Sequence, residues 1–258
     1  MRAFAFVLVI SLIATEATQA AAPARVASLN LCTDELLLAI AAPEQISSLS
    51  HLSRDQRESA YWRKARSYPA NGGTILSVAN DRPHLIVTMG GSGRDNARLA
   101  HAIGAQFLNL PFPSSVAEVQ RGVEMLAQAL DRRDAGNVLN QRINRVLATA
   151  PTDRRKAVFV GSAGQSLSPT GAGAEWLGAA GYRQIPLPGD RINRETLLRA
   201  PALTLVVSNY RVDQYSRPDT LPVRRIRDSH VVTDGRRWTC MGPSLIAEVL
   251  RLRAMSAQ

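Results

Sequence analysis

The sequence predicts an α/β protein built as two small parallel-sheet lobes joined by a long linker helix. Three observations carry that expectation. A strand–helix–strand alternation runs once in the first half and again in the second. Several strands are continuous β-branched runs, the pattern of strands covered on both faces. Between the halves lies an extended helical stretch with a regular apolar stripe. The corresponding boundaries are 1–20 for a leader, 21–113 for the first lobe, 114–152 for the helical segment and 153–258 for the second lobe.

In the first half, Arg25 to Leu31 reads as a strand, with Thr33 and Asp34 as caps for a helix from Glu35 to Ala41. Ile46–Ser50 is a second strand, and Leu85–Met89 is a third, closed by Gly90-Gly91. A helix from Asp95 to Ile103 ends at Gly104, and Gln106–Leu110 is a fourth strand. Ser114-Ser115 opens the helical stretch, in which Val116, Val119, Val123, Leu126 and Leu130 recur at helical spacing. Residues 131–134 and Gly136 interrupt the stripe, which resumes from Val138 to Leu147 and stops at Pro151. The second half repeats the theme. Ala157–Val160 is a strand, Ala174–Ala180 a helix closed by Gly181, and Arg194–Leu198 a short helix. Leu203–Ser208 and His230–Thr233 are strands, and Ser244 to Met255 is the closing helix.

Composition excludes disordered and fibrous classes: of 258 residues, 45% are hydrophobic and 20% charged. The net charge is +10, and only two of the 31 basic residues are lysines, Lys64 and Lys156. No basic run interleaves with aromatics, so nucleic acid is not an expected partner. Met1-Arg2 followed by the apolar run from Ala3 to Ala14 reads as a secretory signal peptide, with a cleavage site after Ala20. The run is about 12 residues, short of the ~20 a spanning helix needs. Cys32 follows Leu31, which is too large for a lipid-anchoring motif, so the expected product is exported to the periplasm without a lipid anchor.

In an oxidising compartment a disulfide between the two cysteines, Cys32 and Cys240, is the leading reading. Two free thiols beside a ligand, or a soft-metal site with His51, remain open. No acid/base pair, nucleophile elbow or helical histidine pair stands out. Gly90-Gly91-Ser92-Gly93 has the setting of a phosphate loop but lacks the third glycine of the dinucleotide fingerprint. No catalytic residue, metal site or cofactor is therefore assigned, and an enzyme is not expected.

At this point the chain resembles the periplasmic substrate-binding proteins of ABC importers for iron–siderophores, haem and cobalamin. The likeness runs from about Arg25 to Leu252. It rests on Arg25 to Leu38 as the opening strand and helix, and on Arg82-Pro83-His84-Leu85-Ile86-Val87 as a strand entry. Ile192 to Pro201 resembles the matching entry in the second lobe, and Trp238 to Pro243 the segment before the last helix. The resemblance implies a monomer whose lobes clamp a metal chelate and deliver it to an inner-membrane permease and its ATPase. Glu195 matches the acidic docking residue of the second lobe. Thr74-Ile75-Leu76 stands where the first lobe would carry a glutamate, and Asp81 is the substitute in sequence.

Strand ends then nominate the ligand contacts: Asn30, Cys32, Met89 and Gly90 from the first lobe, with Tyr61 and Trp62 at its rim. From the second lobe come Ser162, Tyr210, Arg211, Arg236, Arg237 and Trp238. Tyr210 and Trp238 would stack on a flat ligand, and the arginines would pair with its acidic groups. The same mapping puts Cys32 and Cys240 on opposite lips of the cleft, where a disulfide would restrict opening. The alternative, from a different class, is an exported α/β enzyme or chaperone that uses the bilobed fold without a transport role.

Overall fold

The computed structural model describes residues 22–91, 93–192, 203–210 and 230–256. The expected leader, the 194–198 helix, Glu195 and Arg211 lie outside the described residues. Two all-parallel sheets form the frame. The first contains β1 (Val26–Ser28), β2 (Ile46–Ser50), β3 (Ala70–Asn71), β4 (Leu85–Met89) and β5 (Gln106–Leu110), in the order β3-β2-β1-β4-β5. The second contains β6 (Arg155–Val160), β7 (Tyr182–Gln184), β8 (Thr204–Ser208) and β9 (His230–Thr233), in the order β7-β6-β8-β9.

The β-branched runs lie where covering on both faces requires them. In β4, Leu85 and Val87 join the main core while Ile86 joins a cluster on the opposite face with Ile75, Val78 and Ala100. In β6, Ala157 and Phe159 face the main core, while Val158 and Val160 pack with Leu187, Leu203 and Leu205. The alternation is the two-residue period of a strand with apolar matter on each side. The sequence signal was weakest at the sheet edges, and β3 and β7, two and three residues long, were not expected.

Three helices cover the first lobe's strands: α1 (Leu31–Ile40), α3 (Ile75–Val78) and α4 (Gly93–Ala102); α2 (Trp62–Ala65) is a single turn. The start of α1 differs from expectation. Its cap is Asn30, whose Oδ1 accepts from Thr33 N at 3.1 Å, so β1 stops at Ser28 and the helix begins four residues early. Thr33 and Asp34 are helical and buried instead. The Asp34 carboxylate accepts from Ser50 N and Ser50 Oγ, tying α1 to the end of β2.

The chain crosses between lobes through α5 (Val116–Ala129) and α6 (Arg133–Ala148). Ser115 Oγ caps α5 by accepting from Glu118 N at 3.2 Å. The 16 residues of α6 extend about 24 Å at 1.5 Å per residue. This helix packs against α1 and α5 and also against α8 (Leu245–Ser256). Gly136 does not interrupt it: the helix runs through the glycine because this is where α6 meets α5. A Cβ there would lie 2.5 Å from Ala127 Cβ. The second lobe is completed by α7 (Ala172–Ala179) and α8, and Arg253 of α8 donates to Ala179 O and Val146 O at 2.6 and 2.8 Å. One apolar core runs through both lobes, from Leu37 and Leu49 through Leu126 and Ile143 to Trp176, Trp238 and Val249. The lobes are thus joined by buried surface as well as by helices.

Candidate ligand cleft between the lobes

Each sheet reverses its direction of growth once, between β1 and β4 in the first lobe and between β6 and β8 in the second. The carboxyl ends of strands at such a switch point splay their loops apart and leave a crevice. Asn30, Met89 and Gly90 stand at the first switch point, and Ser162 and Tyr210 at the second.

The first crevice is partly filled by its own cap. Asn30 Nδ2 donates to Thr88 Oγ1 and Met89 O at 3.0 and 2.9 Å, while Oδ1 accepts from Thr33 N and Oγ1. Its amide is committed to holding β1, β4 and α1 in register. Beyond it, Gly90 and Gly91 take φ values of +70° and +80°, with open space where a side chain would stand. Left-handed φ is strained for most other residues, so glycine both makes this turn and bares the backbone. Tyr61 and Trp62 are half-buried, and the guanidiniums of Arg63 and Arg66 lie 4.4 and 4.5 Å from the Trp62 ring centroid. Cations at that distance are attracted by the aromatic quadrupole.

In the second lobe Ser162 is half-buried at the start of a 3₁₀ turn following β6. Arg236 sends Nε and Nη2 to the two oxygens of Asp234 at 2.8 and 2.9 Å. Arg237 lies 3.4 Å from Asp234 Oδ2, and its Nη1 donates to Ser244 O at 3.0 Å. Burial pushes the Asp234 carboxyl up, but hydrogen bonds from Arg236 and the charges of both arginines hold it below the usual range. Asp234 therefore stays ionised and offsets part of the positive charge that composition placed here. Trp238 departs from its expected place. It is 4% exposed, its ring lies 4.9 Å from that of Phe159, and its Nε1 donates to Thr233 Oγ1 at 2.8 Å. The ring is core and offers no face to a ligand.

The two lobes touch across the cleft. Tyr210 Oη donates to Glu58 Oε2 at 2.6 Å, and Arg236 Nη1 donates to Gln56 O at 2.6 Å. Cys32, in the first turn of α1, is disulfide-bonded to Cys240, just before α8, with Cα atoms 5.2 Å apart. A small cavity, with room for about one water molecule, lies beside this bond, lined by both cysteines, Glu35, Met89, Val119 and Gly242 among others.

Solved structures match this arrangement over nine-tenths of the chain. The periplasmic haem-binding protein BhuT in complex with two haems superposes with a TM-score of 0.67 at 19% identity, covering 90% of this chain and 97% of that one. The periplasmic haem-binding protein HutB of Vibrio cholerae gives 0.70 at 16% identity over 90% and 98% of the two chains. The vitamin B12-binding protein BtuF of Vibrio cholerae gives 0.66 at 14%, over 91% and 97%. The fold is that of the bilobed periplasmic binding proteins. At these identities the likeness is one of fold. No family model matches the sequence, and no curated protein matches it either.

Within the binding-protein fold, several residues of the cleft carry no motif that singles them out in sequence. Glu58 and Gln56 sit in a polar loop and matter only because the second lobe reaches them. Phe112 is 55% exposed directly after β5, between two prolines. An aromatic so placed at a strand's carboxyl end is a signal the sequence did contain. Asp234, two and three residues before Arg236 and Arg237, was legible as their partner by spacing alone. Glu35 is the least expected: it is 3% exposed, and neither carboxyl oxygen has a hydrogen-bond partner. Burial raises it to about 8, Asp34 and Asp234 add to the rise, and Ser244 and Arg237 oppose it. Among the described residues no group of three His, Cys, Asp or Glu side chains is placed to hold a metal ion, and no helix is long and apolar enough to cross a membrane.

Proposed function

We propose that this protein is a periplasmic solute-binding protein that captures a metal chelate (a ferric siderophore, cobalamin or haem) between its lobes and delivers it to an ABC permease and ATPase. The observation that carries the reading is a switch point in each of two sheets, with Tyr210 and Cys32 beyond them reaching across to the other lobe, in a fold shared with haem- and B12-binding proteins. Capture by such a cleft makes and breaks no covalent bond. Affinity comes from desolvating a large ligand between two surfaces, and the bound form is the closed member of a pre-existing equilibrium. Met89, the bare Gly90-Gly91 backbone, Phe112 and Trp62 supply the first lobe's contacts; Ser162, Tyr210 and Arg236 supply the second's, and Arg211 and Glu195 extend the same reading. Glu195 would meet the permease. A titration of the purified protein with haemin, cobalamin and several ferric siderophores, read by tryptophan quenching and chelate absorbance, tests this. Saturable binding of one chelate at sub-micromolar concentration is expected; absence of binding across the panel overturns the assignment.

A further inference from the structure

The Cys32–Cys240 bond and the buried Glu35 carboxyl belong to one device. Cys32 and Glu35 are three residues apart on α1, a spacing that puts side chains on one helix face. Gly242, two residues past Cys240, lies so close that a Cβ on it would be 3.8 Å from Glu35 Oε2. Both cysteines and the carboxyl line the same cavity between the lobes. The segment carrying Cys240 is held firmly, because Met241 adopts φ +50° and its carbonyl accepts from Trp176 Nε1 at 2.9 Å. The two cysteines differ in exposure: Cys32 is half-buried, while Cys240 is 3% exposed. A carboxyl whose oxygens have no hydrogen-bond partner is costly to keep in a core, and the nearby Ser244 and Arg237 offset only part of that cost.

We propose that Cys32–Cys240 is a reversible thiol–disulfide latch that controls how far the lobes part, with Glu35 as the proton donor and acceptor for Cys240. A dithiol reductant attacks, as its thiolate, the sulfur of Cys32, the more exposed of the two residues. The S–S bond breaks, a mixed disulfide forms on Cys32, and the electron pair leaves on the Cys240 sulfur. Glu35 gives that sulfur its proton, so no thiolate is left in the apolar cavity, and solvent then reprotonates the carboxylate. The second thiol of the reductant displaces Cys32 and leaves as part of the reductant's own disulfide. Two protein thiols are formed and one dithiol is oxidised; in reverse, the Glu35 carboxylate takes the Cys240 proton. Several groups face Glu35 and set its charge. Asp34 is its neighbour on α1, Arg237, Asp234 and Ser244 lie between β9 and α8, Tyr61 precedes α2, and Glu118 opens α5. With the carboxyl at about 8, the acid form is present at neutral pH to donate.

Once the bond is open, contact between the lips depends on the hydrogen bonds of Tyr210 and Arg236 to the loop around Glu58. The bearing on ligand exchange rests on the binding function proposed above; the thiol chemistry does not.

The test follows reduction by dithiothreitol from pH 6 to 9, counting alkylated thiols by mass and expressing rates per reductant thiolate. Glu35→Gln is expected to slow reduction on the order of 100-fold at pH 6.5, the low end of what a placed acid contributes, with the difference shrinking above pH 8. Equal rates for the two proteins, or a ratio that does not change with pH, overturn the role of Glu35. If Glu35→Gln does not fold, the wild type alone decides, since its rate per thiolate must fall as pH rises through 8; a flat profile overturns the proposal. Small-angle scattering of the oxidised, reduced and Cys32→Ser/Cys240→Ser proteins tests the latch. A larger radius of gyration in the latter two is expected, and one radius for all three overturns it. Haemin titrated into the oxidised and reduced forms separates the two readings. Faster release from the reduced form supports the latch, and equal release overturns its role in exchange. Absence of binding to both forms removes the binding function while leaving the thiol result intact.

Discussion

Tyr210 of the second lobe donates its phenolic hydrogen to Glu58 of the first, 152 residues away, at 2.6 Å. The bond spans the cleft mouth, so it exists only while the lobes are together. Together with Arg236 on Gln56 O it is a polar contact that can be remade with each closing, unlike the covalent Cys32–Cys240 link.

Tyr210→Phe removes the donor and leaves the ring. A hydrogen bond to a charged acceptor contributes about 1.5 to 3 kcal/mol, which at 1.4 kcal/mol per decade is about one to two decades in the closing equilibrium. In the protein with Cys32–Cys240 reduced, the expected result is a dissociation rate for a bound chelate raised at least several-fold, measured by stopped-flow absorbance. An unchanged rate would show that the phenol does not hold the lobes.

Gly235 supports the same tyrosine from beneath. A Cβ at this position would fall on Ser208 Oγ and lie 2.5 Å from Tyr210 Cβ. Gly235→Ala is therefore expected to displace Tyr210 and reproduce the fast dissociation of Tyr210→Phe, with little added effect when the two are combined. Additive effects would place the glycine's influence elsewhere.

Trp238→Phe separates core from cleft. It deletes the Nε1 donor to Thr233 and part of the buried ring against Phe159. A loss of about 1 to 3 kcal/mol in denaturant unfolding is expected, with chelate affinity within twofold of wild type. A large affinity loss at unchanged stability would return Trp238 to the binding surface.

Gly136→Ala tests the helix crossing. Alanine favours an isolated helix by about 1 kcal/mol over glycine, yet here its methyl would meet Ala127 at 2.5 Å. Overpacking costs about 1 to 3 kcal/mol, so net destabilisation is expected from urea denaturation. A gain in stability would mean that α5 and α6 can separate freely.

Two neighbouring buried carboxyls give the pH dependence its sign. Burial lifts Asp34 from 3.8 to about 7, opposed by hydrogen bonds from Ser28, Ser50 and Ser53, and lifts Glu35 from 4.5 to about 8. Both values are raised, so the folded state binds more protons than the unfolded chain between roughly pH 4 and 8. Stability from this source is complete below the unfolded values and is lost as pH rises through the folded ones. The melting temperature of Glu35→Gln, relative to wild type, is therefore expected to climb from pH 5 to 8.5. A constant difference would mean that Glu35 does not titrate with folding.

Much of the frame was legible in sequence because local physics sets it. β4, β5 and β9 fall on their apolar runs, Ser115 caps α5, and the stripe from Val116 to Leu130 faces the core, since each signal depends on residues within one turn or strand. The start of α1 was misplaced because Asn30 and Thr33 both suit a cap. Only the contact of Asn30 with β4 made it the one chosen.

The charge and the cysteines show where sequence reasoning ends. Sequence by itself determined two parallel-sheet lobes, the crossing helix and a +10 chain rich in arginine. It named Cys32 and Cys240 without saying whether they pair, and Trp238 without saying which way it faces. Tertiary structure decided those points: it brought together positions 208 residues apart, turned Trp238 into the core and enclosed Glu35 beside the disulfide. The reason is physical. Helix and strand periodicity are written in neighbouring residues, whereas burial, charge pairing and sulfur–sulfur contact depend on which distant segments the folded chain places side by side.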